Sequence, residues 1–138
     1  MAYWLFKTEP ETWSWDQQKK NGAKGESWSG VRNHQAKLNM MAMKKGDLGF
    51  FYHSGQAREI VGIVEVIGEY RPDPTDETGK FGLVVVKAVK GVPKPVTLAQ
   101  AKADAKLKDM VLVKFSRLSV QPVTDTEWKY ICKLGGVK

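Results

Sequence analysis

DLGFFYHSGQAREIVGIVEVI, residues 47–67, reads as two strands with only a short polar stretch between them. Side chains alternate along a strand, so Leu48, Phe50 and Tyr52 share one face of the first and Gly49, Phe51 and His53 the other. Residues 60–67 are apolar on both faces except at Glu65, the pattern of a strand covered on each side. A further apolar run, FGLVVVKAVK at 81–90, follows the turn-forming Arg71-Pro72-Asp73-Pro74-Thr75-Asp76. Strands in direct succession suit a twisted, partly closed β-barrel flanked by short helices. They do not suit a doubly wound parallel sheet, which alternates strand and helix. The expected class is α+β.

On the N-terminal side, AYWLFK at 2–7 forms an aromatic strand that Thr8-Glu9-Pro10 ends. Ser14 to Gln17 has capping-box spacing and predicts a helix to about Lys20. Residues 22–30 read as a loop that carries Trp28. Asn33 caps a helix over 34–43, with Ala36, Met40 and Met43 on one face and His34, Lys37 and Met41 on another. Lys44 and Lys45 fall in its last turn and Gly46 closes it. Beyond residue 90, Pro93 and Pro95 interrupt the strand, and Thr97 opens a short helix. VLVK at 111–114 reads as a strand, as does 118–123 up to Pro122. Thr124 to Glu127 is a second capping box, opening a helix with Trp128, Ile131 and Cys132 inward.

With 138 residues, 42% of them hydrophobic and 27% charged, the chain has the makeup of one soluble domain over 1–138. No apolar run approaches the ~20 residues that cross a bilayer, so no membrane is expected. MAYWLFKTEPE lacks the basic leader and cleavage site of a signal peptide. Cys132 is the sole cysteine, which excludes an intrachain disulfide and fits a reducing, cytoplasmic compartment. The net charge of +7 is uneven. Residues 1–86 carry eleven basic and eleven acidic groups, whereas residues 87–117 carry eight basic groups against Asp104 and Asp109. Such a local excess attracts polyanions, and an ordinary solvated lysine face has the same composition.

Two histidines, His34 and His53, and one cysteine make no ligand framework, so no metal and no cofactor are expected. Phosphate-loop and dinucleotide fingerprints are absent. His53, Ser54 and Asp73 hold the residue types of a hydrolase, but adjacent strand residues point to opposite faces, so Ser54 and His53 would not meet. Recognition chemistry has more candidates. Trp28 offers a ring that stacks or packs; Arg32 offers a planar fork of donors; Asn33 serves as helix cap or ligand. Lys7 and Glu9 after the first strand form a pocket-mouth charge pair or an ordinary surface pair. Tyr52 and His53 line a cavity or belong to the core.

These residues fall in a pattern of ordered motifs: Tyr3-Trp4-Leu5-Phe6-Lys7-Thr8-Glu9-Pro10, Trp28-Ser29-Gly30-Val31-Arg32-Asn33, Phe50-Phe51-Tyr52-His53-Ser54, Pro72-Asp73-Pro74-Thr75 and Arg117-Leu118-Ser119-Val120-Gln121-Pro122-Val123. Over roughly residues 2–134 the sequence resembles the EVE domain family of the PUA-like superfamily, which also holds the thymocyte nuclear proteins. It carries Thr8 where that family commonly has serine, and His34 and Lys37 where tyrosine and arginine are usual. The resemblance implies a PUA-like, EVE/YTH-type barrel and a non-enzymatic module that reads a modified base, methylated or hydroxymethylated, of DNA or RNA. The base would be flipped into an aromatic pocket, stacking on a ring for roughly 1–3 kcal/mol. Mapped onto this chain, the pocket is a cleft walled by Trp28 and Tyr52, with His53, Ser54, Lys7, Glu9 and Asp73 around it. Arg32, Asn33, Lys106, Lys108 and Lys114 fall to the backbone or the rim. The alternatives are a small-molecule or modified-nucleoside binding module, and a nucleotide-acting enzyme with His53 as its base.

Overall fold

The structure, a computed structural model, describes residues 2–137. Among these residues six strands form one mixed sheet, and its order is set by pairing rather than by sequence. The strands are β1 (Tyr3–Thr8), β2 (Glu26–Trp28), β3 (Leu48–His53), β4 (Glu59–Pro72), β5 (Gly82–Thr97) and β6 (Val120–Val123), arranged β2-β5-β4-β3-β1-β6. β1 runs parallel to β3, and the other four neighbouring pairs are antiparallel. The α+β class is as expected, but the barrel is not closed: β2 and β6 are the two edges of the pairing.

Short helices cover both faces. α1 (Trp15–Lys20), α2 (His34–Ala42), α3 (Leu98–Ala103), α4 (Val111–Lys114) and α5 (Asp125–Leu134) are all too short to persist alone in water. Reciprocal capping boxes start three of them, at Ser14 with Gln17, Thr97 with Gln100 and Thr124 with Glu127. Packing then holds them. Trp15, Ala36 and Met40 join Phe6, Phe51 and Trp28 in one core cluster. Leu107, Met110, Trp128 and Ile131 join Phe50 and Tyr52 in a second, so the alternation along β3 divides the core between the two faces of the sheet.

Several expected elements differ. Trp28 ends strand β2 and does not lie in a loop. VLVK at 111–114 is the helix α4, because the Phe115 amide donates to the Val111 carbonyl at 2.8 Å and Leu112 faces the core. Pairing neighbours, not β-branched composition, decide whether such a run is a strand. β5 continues through Pro93 and Pro95 to Thr97, since its register against β4 shifts between Ile60 and Gly62 and leaves ladder positions that need no donor. β6 likewise passes through Pro122 on an edge. α2 stops at Ala42, leaving Lys44 and Lys45 outside its last turn.

One close approach positions the site. Gly62 on β4 lies under the Trp15 ring, where a Cβ would sit 2.4–2.5 Å from ring atoms. Only glycine lets α1, and the segment before it, lie this close to the sheet.

Candidate functional site

The chain folds back on itself at the C-terminal end of β1. The Glu9 carbonyl accepts from the amides of Thr12 and Trp13, both at 2.9 Å, and Thr8 Oγ1 donates to the Trp13 carbonyl at 2.9 Å. Trp13 Nε1 donates to Gln18 Oε1 at 2.9 Å, tying the ring to α1. Across from this turn stands β2, whose Trp28 is wedged edge-on against Phe6 (5.2 Å, 65°) and Phe51 (5.7 Å, 84°). Between them lies an open hollow of about 240 Å³. Two indoles, Trp13 and Trp28, line it with the hydroxyl residues Thr8, Thr12, Ser27 and Ser29, and Lys7 and Glu26 bring one charge of each sign. That volume is below the ~300–1,000 Å³ of drug-sized sites and suits a single flat heterocycle.

A buried clamp sets the chain leaving Trp28. The Asp73 side chain has no exposed surface and uses both oxygens. Oδ2 accepts from the Gly30 amide at 2.9 Å and from Arg32 at 3.3 Å; Oδ1 accepts from the Thr75 amide at 2.8 Å and its hydroxyl at 2.6 Å. Burial pushes the Asp73 carboxyl up, but these donors, Thr75 foremost, outweigh it and bring the pKa down to about 2. The anion is thus held ionised to fix residues 29–32.

The expected cleft between Trp28 and Tyr52 does not form. Trp28 is 8% exposed and Tyr52 2%, and they sit in the two different core clusters, on opposite faces of the sheet. Tyr52 and Ser54 line a separate hollow of about 350 Å³, together with Lys7, Arg58, Lys102 and Ser116 among others. Lys7 borders both hollows. Its ammonium donates to the Ser116 carbonyl at 2.6 Å and lies 5.8 Å from the Tyr52 ring centre, and burial lowers its pKa.

The remaining candidates scatter. His53 Nε2 accepts from the Trp15 amide at 3.0 Å, and burial lowers its pKa against the pull of Glu59, Asp16 and Glu11. A neutral imidazole capping α1 is a structural acceptor. Asp73 lines neither hollow; it is the clamp just described. Arg32 is spent on the Val31 carbonyl, Asp73 and Thr75, with its guanidinium 5.7 Å from the Phe81 ring. Asn33 Oδ1 caps α2 through the Ala36 amide at 2.9 Å. Glu9 is exposed, and its carbonyl, not its carboxylate, organises the turn. Lys106 lies over the Tyr130 ring at 5.0 Å, Lys114 pairs with Asp109 at 3.2 Å and Lys108 is exposed; none of the three lines either hollow. Trp13 and Thr12 went unnoticed in the sequence. Trp13 stands just before the helix cap Ser14, a place where an apolar residue usually serves the helix itself.

Comparison with known proteins bears on this arrangement. A family model described as EVE domain matches residues 2–134. Human thymocyte nuclear protein 1 is 30% identical over 96% of this chain and 73% of its own length. A crystal structure of that human protein in complex with DNA containing 5-methylcytosine superposes with a TM-score of 0.91, covering 98% of each chain at 30% identity. The NMR structure of Rpa0253 from Rhodopseudomonas palustris is nearer in sequence, at 60% identity, with a TM-score of 0.94 over 99% of this chain and 94% of that one. The YTH domain of Zygosaccharomyces rouxii MRB1 shares the fold, with a TM-score of 0.58 at 20% identity over 97% of this chain and 86% of that one.

Proposed function

The chain belongs to the EVE domain family, and from that we propose that it is a non-enzymatic nucleic-acid-binding module, a single domain that reads a modified base of DNA or RNA. The base leaves its stack and enters the hollow between Trp13 and Trp28, where the indoles supply apolar contact and the surrounding hydroxyls meet its polar edge. That hollow, of a size for one heterocycle and walled by two tryptophans, is the observation that carries the reading. The human relative with 5-methylcytosine DNA supports it and points to a methylated pyrimidine as the first ligand to try.

Against catalysis stands the use of His53, the one candidate base, as acceptor for the Trp15 amide. Among the described residues no group of three metal-ligating side chains assembles. Lys106, Lys108 and Lys114 act on this reading at a distance, drawing the strand toward the protein. Burial raises the pKa of the Cys132 thiol, which suits an unreactive packing group; the cytoplasmic location we assign rests on the single cysteine of the sequence.

The test is a panel of single-stranded DNA and RNA oligonucleotides carrying cytosine, 5-methylcytosine and other methylated or hydroxymethylated bases, titrated against the protein and its Trp13→Ala variant. A preferred modification should emerge, and Trp13→Ala should weaken its binding by about 1–3 kcal/mol, the worth of one base–aromatic stack. Equal affinity for every base would refute base reading. Affinity for the free nucleoside equal to that for the strand would favour a small-molecule module instead.

A further inference from the structure

We propose that the second hollow, on the Tyr52 side of Lys7, is a phosphate site that takes the backbone phosphate next to the base held by Trp13 and Trp28. The strand assignment rests on the reading above; the anion chemistry of the hollow stands on its own residues. Three cations line it, each from a different part of the chain: Lys7 from β1, Arg58 from the turn before β4 and Lys102 from α3. No carboxylate is among its lining residues, and none of the three cations forms an ion pair among the described residues. Glu59, next to Arg58 in sequence, acts instead on His53. A half-buried lysine whose one hydrogen-bond acceptor among the described residues is the Ser116 carbonyl keeps much of its desolvation penalty, which an anion would offset.

The second observation is Tyr52. The residue is 2% exposed and lines the hollow, and its hydroxyl, which keeps some exposed surface, has no hydrogen-bond partner among the described residues. That hydroxyl is free to donate, and a phosphate oxygen would accept from it. The charge of Arg58 reaches the same group, opposing the rise that burial imposes on its pKa.

Arg58 adds a third. At φ +48° it is the non-glycine residue that the described backbone holds in the left-handed region. Its own Nε bond to the Gly55 carbonyl at 2.9 Å and the Leu98 amide on its carbonyl at 2.8 Å keep it there. Such strain persists where surroundings over-determine it and gathers at binding sites. Nε is used, but the two terminal nitrogens remain for a planar two-point contact with phosphate. Lys7 borders both hollows, so the two meet near the C-terminal end of β1.

The test titrates the full chain separately with inorganic phosphate and with 5-methylcytidine, which has a base and no phosphate, following backbone amides by NMR. Phosphate should shift Ser54, Gly55, Arg58 and Ser116 saturably while Trp13 and Trp28 stay still. Tyr52→Phe, which keeps the ring and removes the hydroxyl, should weaken phosphate about tenfold, the worth of a charge-assisted hydrogen bond. Lys102→Glu should abolish phosphate binding, leave 5-methylcytidine binding unchanged and lower the salt slope of single-strand binding by about 0.7 per lost contact. Phosphate binding indifferent to both substitutions, or absent while 5-methylcytidine binds, would overturn this proposal and spare the base pocket. Phosphate binding without nucleoside binding would sustain the anion site and overturn the base reading. Binding of neither would overturn both.

Discussion

Asp73→Asn is the most direct probe of how the site is held. The substitution keeps the shape of the side chain but turns one acceptor oxygen into an NH2 group that faces two donors. Whichever way the amide is turned, it opposes either Gly30 and Arg32 or the two Thr75 groups. Two charge-assisted hydrogen bonds are lost at about 1.5–3 kcal/mol each, so the domain should lose about 3–6 kcal/mol. For a domain of this size the melting temperature should fall by about 10–20 °C. The carboxyl has its pKa at about 2 in the folded protein and 3.8 as a free group. A depressed folded pKa gives stability that is complete above the unfolded value and lost as pH falls from about 4 toward 2. Melting curves of the two proteins should therefore stand far apart at pH 7 and converge below pH 4. Equal melting temperatures at pH 7, or a gap that does not narrow in acid, would show that Asp73 is not an ionised clamp. Binding of modified strands should weaken in the variant at pH 7 and at a temperature where it stays folded, because residues 29–32 beside Trp28 are no longer pinned.

Trp28→Ala should cost about 3–5 kcal/mol in a denaturant titration, as for a buried aromatic; a loss under 1 kcal/mol would return Trp28 to the loop position read from the sequence. Gly62→Ala forces a methyl into the Trp15 ring and should destabilise by about 1–3 kcal/mol, with urea unfolding as the measure and an unchanged midpoint as the contrary result. His53→Ala should cost about 1 kcal/mol at pH 8, where the neutral imidazole accepts from the Trp15 amide. Because burial lowers the folded pKa, the contribution is complete above the unfolded value near 6.5 and is lost as pH falls below it. A difference that is the same at pH 5 and pH 8 would contradict that account.

What the sequence decided by itself was local. Capping boxes at Ser14 and Thr124 and the Asn33 cap mark helix starts, since those hydrogen bonds close within three residues. The alternation of Phe50, Phe51 and Tyr52 divides two faces before any partner is known. Motif order carried the family. What only the tertiary structure decided was which residues meet. Trp28 and Tyr52 are both aromatic and both near a polar rim, but their sheet faces depend on β2 pairing with β5 and β3 pairing with β1 and β4. Trp13 carries no mark in the sequence beyond its place before a helix cap; the turn at Glu9 sets it beside the hollow opposite β2. VLVK reads as a strand until its neighbours leave it no ladder to join. A hydrogen bond within one turn is written in adjacent residues, whereas a pocket joins positions brought together by strand register, and register comes from the whole chain packing at once.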